Sequence, residues 1–166
     1  MPIFLIGFMA SGKSSIGRKL SKIMETSFID LDSEIEKEIG MSISDIFLKK
    51  GENFFRKIES DLLKKIDFKD EDIVASGGGT PCFFDNHYFM QSIGCTIYLK
   101  VGIDELLKRI KLDNYRPLLN NNKLNLRYYL TGELLKREPY YQMSNYIIDS
   151  DNISVNQVHE LIQKIK

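Results

Sequence analysis

The eight residues Gly7-Phe8-Met9-Ala10-Ser11-Gly12-Lys13-Ser14 fit the pattern G-x-x-x-x-G-K-[ST]. Such a loop suits phosphate. Its backbone N–H groups can ring the oxygens, and the start of the following helix adds positive potential. Lys13 has the reach for β- and γ-phosphates, and the Ser14 hydroxyl can coordinate Mg2+. A glycine-rich turn carrying a solvated lysine is the competing reading. Context weighs against it, because the apolar run Ile3 to Ile6 precedes the loop and a helical pattern follows. The motif marks a nucleotide site and leaves open what is done with the nucleotide.

Acids, arginines and glycines supply the rest of the candidate chemistry. Phe28-Ile29-Asp30-Leu31-Asp32 carries two carboxylates, which strand alternation would aim to one side. They are either a helix cap and its neighbour, since Ser33-Glu34-Ile35-Glu36 follows, or contacts to a hydrated Mg2+ and to a substrate hydroxyl. Arg56 has Glu52 four residues before it and Glu59 three after. That is either pairing on a helix surface, worth roughly 0.2–0.5 kcal/mol, or a guanidinium turned into a cleft. Arg137 shares a helical face with Leu130, Leu134 and Tyr141. An arginine on a buried face needs an anion, either a ligand or a structural glutamate. Pro139 is a point at which this helix can break and restart. Finally, Ala75-Ser76-Gly77-Gly78-Gly79-Thr80-Pro81 ends a short apolar run in three glycines and carries no metal-binding acid.

These groups need elements to hold them. Short apolar runs at Ile3–Ile6, Ser27–Leu31, Asp72–Ala75, Cys95–Leu99 and Tyr146–Ile148 read as strands. Between them, helical spacing recurs at Ile16, Leu20, Ile23 and Met24, then at Phe55, Ile58, Leu62 and Ile66, and at Leu106, Leu107 and Ile110. A last helix is marked by Val155, Val158, Ile162 and Ile165. Strands alternating with helices imply a mostly parallel sheet covered on both faces, with ligands at the carboxyl ends of its strands. One polar segment, Asp113 to Arg127, breaks the rhythm with Arg116-Pro117-Leu118-Leu119 and the run Asn120-Asn121-Asn122. It is either a surface loop or a mobile lid.

The bulk numbers set limits. At 166 residues one domain is expected. Lys and Arg number 23, as do Asp and Glu, so there is no basic surplus for nucleic acid or an anionic membrane. Cys82 and Cys95 are too few for a disulfide framework and are expected as free thiols. His87 and His159 lack zinc-ligand neighbours and read as surface or packing residues. Without a signal-peptide pattern or a bilayer-length apolar run, the expected location is cytoplasmic.

Taken together, the motifs resemble shikimate kinase nearly end to end. The matching residues are Phe4 to Met9 running into Gly12-Lys13-Ser14, Asp30-Leu31-Asp32, Gly51-Glu52 with Phe55-Arg56, Gly77-Gly78-Gly79, Arg116-Pro117-Leu118-Leu119, and Arg137-Glu138-Pro139-Tyr140-Tyr141. The resemblance implies a three-layer α/β/α P-loop kinase fold like that of the nucleoside monophosphate kinases. It implies a five-stranded parallel sheet in the order 2-3-1-4-5 and a lid over about residues 111–124. The implied reaction moves the γ-phosphoryl of ATP to the 3-hydroxyl of shikimate. By the same resemblance, Asp32 binds substrate hydroxyls, Arg56 and Arg137 bind the carboxylate, and Arg116 closes over the phosphates. Lys13, Asp32 and Arg116 then form the catalytic set. Ala10, Ser11, Gly12, Lys13, Ser14, Ser15, Arg109 and Arg116 hold ATP. Ser14 and, through water, Asp30 hold Mg2+. Freed from a metal role, the glycine turn can approach a small ring and offer N–H groups, with Gly78 and Gly79 as the substrate floor. Shikimate and ATP are the expected partners of a monomer.

The chain departs from the family pattern in places. Ala10 stands where Gly is frequent and Ser15 where Thr is common; both are small and expected to be tolerated. Arg109 suits one side of an adenine, but Asp151-Asn152-Ile153-Ser154 has no cation for the other, which implies looser or main-chain contacts. Cys82, just past the glycines, is a conceivable target for thiol reagents. The rival readings are a gluconate kinase, a nucleotide kinase, and a non-catalytic P-loop switch.

Overall fold

Ile3–Ile6 form β1, and all four side chains are buried. Alternation sends Phe4 and Ile6 into one apolar cluster and Ile3 and Leu5 into another, so both faces of the strand are covered. The computed structural model describes residues 1–112 and 123–165. β2 (Phe28–Asp30), β3 (Ile73–Ala75), β4 (Cys95–Lys100) and β5 (Tyr146–Asp149) join β1 in a parallel sheet of order β2-β3-β1-β4-β5. The strand order anticipated from the family resemblance is the order observed. β5 is the terminal strand and its side chains are mostly exposed.

On one face, α1 (Lys13–Met24) and α8 (Val155–Ile165) bring Ile16, Leu20, Val158 and Ile162 against Ile3, Leu5, Ile97 and Leu99. The opposite face carries α2 (Leu31–Ile39), α3 (Ile43–Lys50), α4 (Glu52–Lys65), α5 (Asn86–Ile93), α6 (Ile103–Leu112) and α7 (Lys123–Gln142). These helices contribute Ile35, Ile46, Phe55, Met90, Leu106 and Tyr141 to a second core built on Phe4, Ile6, Val74 and Tyr98. The order reverses at β1, which has β3 on one side and β4 on the other. A crevice therefore opens beyond its carboxyl end, where the Gly7–Ser14 loop lies.

One expectation shifts at Pro139, and one narrows at His87. α7 runs unbroken through Pro139. Pro139 is exposed, and so is Leu135, whose carbonyl would have accepted the missing N–H; water can satisfy it there. His87 is a packing residue, buried in α5, and burial lowers its pKa.

Gly17 sets the seat of α1. A Cβ at this position would lie 2.6 Å from Cε2 of Phe28 and 3.3 Å from Cδ1 of Leu5. The helix backbone thus rests directly on β1 and β2, which aims its first turn at the crevice. Gly17→Ala should cost about 1–3 kcal/mol through overpacking, measured by urea unfolding. A loss below about 0.5 kcal/mol would mean that the Phe28 ring moves aside freely.

Candidate active site

The loop after β1 stays flush against its neighbours. A Cβ on Gly7 would stand 2.8 Å from the Leu99 carbonyl oxygen and 2.8 Å from Ser11 Oγ, at φ +151°. Lys13 is buried and folds back over the loop, donating to the carbonyls of Gly7 at 2.8 Å and Phe8 at 2.9 Å. Ser14 and Ser15 are exposed at the start of α1, whose first turn contains no acid. The positive end of the helix is therefore left for an anion. Ala10 has φ +62°. Its tolerance is not free: a Cβ in the left-handed region costs roughly 1–2 kcal/mol.

Arg109 ties this loop to its surroundings. Its guanidinium donates to the Ala10 carbonyl at 3.2 Å and the Asp151 carbonyl at 2.6 Å, while Glu105 accepts from Nε at 2.9 Å. Asp151 in turn accepts from the Gly102 N–H at 2.8 Å. The segment after β5 thus contributes a main-chain carbonyl where no basic side chain exists. Arg116, and most of the lid expected over 111–124, lie outside the described residues.

The carboxylates are positioned by a helix start rather than by strand alternation. Asp30 ends β2, and Asp32 is already the second residue of α2. Neither is a helix cap by side chain: Asp30 occupies the cap position without making the bond. Asp32 sits in a crowded field. Burial first, then Glu59 and Asp30, push its carboxyl up to about 6, against the pull of Lys13 and Arg56.

Arg56 is not a surface residue. It is 6% exposed, donates to Glu59 at 2.8 Å and Glu52 at 3.2 Å, and lies 4.3 Å from the Phe83 ring centroid. Glu59 is fully buried and also accepts from Thr80 Oγ1 at 2.5 Å. Behind it, Ser60 donates to Asn86 Oδ1 at 2.7 Å, and Asn86 Nδ2 donates to the Thr80 carbonyl at 3.0 Å. The sequence reading named Glu59 only as a neighbour of Arg56 and missed its burial, and it missed Ser60, Thr80 and Asn86. A signal existed in α4: Arg56, Glu59 and Ser60 share its buried stripe with Phe55, Leu62 and Leu63.

Each glycine of the turn after β3 answers to a different neighbour. A Cβ on Gly77 would lie 2.8 Å from both Asp32 Oδ1 and Glu59 Oε1, and one on Gly79 would lie 2.5 Å from Arg56 Nη2. Gly77, given no role of its own from the sequence, thus admits the two acids, and Gly79 admits the guanidinium. Only Gly78 is partly exposed; its Cβ position is 3.7 Å from Arg137 Nη1. Arg137 pairs with Glu133 at 2.9 Å and stands 5.5 Å from the centroid of Phe8 in the phosphate loop. The structural glutamate weighed for Arg137 therefore exists, one turn back on α7, while Nη1 faces the glycine turn. Between the arginines, Cys82 is half-buried, and burial pushes its thiol up to about 11. Protonated at neutral pH, it is a poor nucleophile for thiol reagents.

A phosphate loop after the central strand, a parallel sheet of order β2-β3-β1-β4-β5, and a cleft of one acid and two arginines define a P-loop kinase. The shikimate kinase family model matches residues 9–166. A shikimate kinase from Parabacteroides distasonis is 38% identical over 162 residues, 96% of this chain and 94% of its own. The crystal structure of shikimate kinase from Bacteroides thetaiotaomicron has a TM-score of 0.91 at 31% identity, covering 99% of this chain and 97% of that one. The solved structure of shikimate kinase from Acinetobacter baumannii in complex with shikimate has a TM-score of 0.88 at 31% identity, covering 99% of this chain and 91% of that one. The chain belongs to the shikimate kinase family.

The raised Asp32 carboxyl makes a stability prediction. The folded state holds this proton more tightly than the unfolded chain, so stability falls as pH rises from the ordinary 3.8 toward about 6 and is then level. Asp32→Asn removes the ionisation. Its stability advantage over the wild type should widen by about 1–3 kcal/mol between pH 4 and pH 7, with no further change above. Urea titrations across that range measure it; a pH-independent gap would contradict the crowding.

Proposed function

We propose that this chain transfers the γ-phosphoryl group of ATP to the 3-hydroxyl of shikimate, giving shikimate 3-phosphate and ADP, a step toward chorismate and the aromatic amino acids. The observation that carries this reading is the meeting of Arg56, Arg137 and Asp32 around one glycine turn beside the phosphate loop. Two guanidinium groups suit a planar carboxylate, which they can bind in a fork. Asp32 lies close enough to Lys13 and Arg56 to feel both, so it spans the distance between nucleotide and acceptor. An acceptor anchored by its carboxylate can therefore present a hydroxyl to Asp32.

Phosphoryl transfer depends chiefly on positioning and charge neutralisation. Lys13 is held over the Gly7 and Phe8 carbonyls, ready to turn to phosphate oxygens. Arg116 is assigned the closing cation by family resemblance. Among the described residues, no group of three His, Cys, Asp or Glu side chains is arranged to hold a metal. A hydroxyl from Ser14 and one carboxylate from Asp30 fit a small hard cation that shares its shell with water and phosphate. These residues would hold Mg2+, which would supply charge neutralisation for the transferred phosphoryl group. Asp32, at about 6, is ionised at neutral pH and basic enough to take the hydroxyl proton. The working unit is taken as one chain in the cytoplasm. Among the described residues, no helix is long and apolar enough to cross a membrane.

A coupled ADP-release assay with shikimate, gluconate, AMP or no acceptor tests the reading. Shikimate alone should accelerate release; ADP formation indifferent to shikimate would overturn it. With shikimate, kcat/KM should decline about tenfold per pH unit well below pH 6, as Asp32 takes up a proton. Asp32→Asn should lose that limb together with most of kcat. A variant that keeps most of kcat at saturating shikimate would remove the base role and leave only a binding one.

A further inference from the structure

Three glycines in a row leave a turn with no side chain to fix its peptide planes. Glycine crosses readily between negative and positive φ, so the peptide joining Gly78 to Gly79 can flip at little cost. One bond opposes this. Tyr141, fully buried on α7, donates its hydroxyl to the Gly78 carbonyl. A peptide unit is planar, and every described one is trans, so fixing that carbonyl also fixes the Gly79 N–H, which points the opposite way. The N–H groups of Gly78 and Gly79 donate to no protein acceptor among the described residues. The Gly77–Gly78 peptide is held from within the turn, where the Gly77 carbonyl accepts from the Thr80 N–H at 3.2 Å, so the Gly79 N–H is the donor whose direction is set from outside.

The same tyrosine lies one helical turn after Arg137, and each is within electrostatic reach of the other. Behind it, the Tyr98 ring packs at 5.0 Å between centroids, and the Tyr98 hydroxyl donates to Glu138 at 2.7 Å. Tyr141 is thus backed by the core and reaches the turn that Arg137 faces. We propose that Tyr141 is a positioning residue: by holding the Gly78–Gly79 peptide, it sets the floor of the acceptor site in register with Arg137. This inference rests on the reading of the cleft as the shikimate site.

Tyr141→Phe keeps the ring and deletes only the hydroxyl. KM for shikimate should rise about 5- to 20-fold, with kcat and KM for ATP within about twofold of wild type. Tyr98→Phe is the comparison: it removes a hydroxyl bond of similar burial that does not reach the turn. Its KM for shikimate should stay within about twofold, even where urea unfolding shows a similar loss of stability. An unchanged shikimate KM in Tyr141→Phe overturns the proposal. So does an equal rise in both variants, which would mean general loosening of α7, and so does an equal rise in KM for both substrates. A wild-type protein idle on shikimate would overturn the functional reading and this inference with it. A wild type active on shikimate beside an unaffected Tyr141→Phe would overturn this inference alone.

Discussion

The buried pair of Arg56 and Glu59 fixes the end of the cleft formed by the glycine turn. A guanidinium held at 6% exposure is sustained only by close anionic partners, and Glu59 is fully buried beside it. That geometry dictates the glycines: Gly79 has no room for a side chain against Arg56, and Gly77 has none between Asp32 and Glu59. It also recruits Thr80, Asn86 and Ser60, which complete the hydrogen bonds of a polar cluster set inside an apolar helix layer. An all-apolar core would have been simpler to stabilise. The polar one holds an arginine in a defined orientation.

Charge crowding extends from that pair to the nucleotide loop. Asp32 feels Glu59 and Asp30 on one side of the balance and Lys13 and Arg56 on the other. The surroundings disfavour the charge of this acid, and a protein tuned only for stability would replace it. The phosphate loop and the glycine turn are also linked, since Arg137 lies over the Phe8 ring and Lys13 donates to the Phe8 carbonyl. The loop that cradles phosphate thus borders the arginine that faces the glycine turn.

Much of the fold was legible because its signals are local. Buried strands announce themselves as short apolar runs, and the phosphate loop is contiguous, so Lys13 and Ser14 could be placed from spacing alone. The strand order came with the family resemblance, since nothing local specifies which strands lie side by side. Other features depended on contacts distant in sequence. Surface pairing stayed open beside the cleft reading for Arg56 because its acids are helical neighbours, whereas its burial comes from Phe83 and the turn at Gly79. Asp32 was oriented by strand alternation because the turn from strand to helix at Leu31 has no glycine or proline to mark it. Pro139 suggested a break because sequence cannot tell that the helix face missing its N–H looks to water. Ala10 appeared an innocuous small residue, since φ is not written in a residue's size.

The sheet order also governs the timing of assembly on the ribosome. β1 is made first, yet its two neighbours are β3 and β4, with Ile3 paired to Ile73 and Cys95. At about 5–20 residues per second, β1 waits on the order of 5–20 s for its second partner to be synthesised. Until β3 is made its apolar side chains have no strand to pair beside, and until β4 is made the loop that follows has no Leu99 carbonyl to rest against. The nucleotide cradle, encoded within the first fifteen residues, is therefore among the later parts to acquire its shape, and the nascent chain carries an exposed aggregation-prone strand until then.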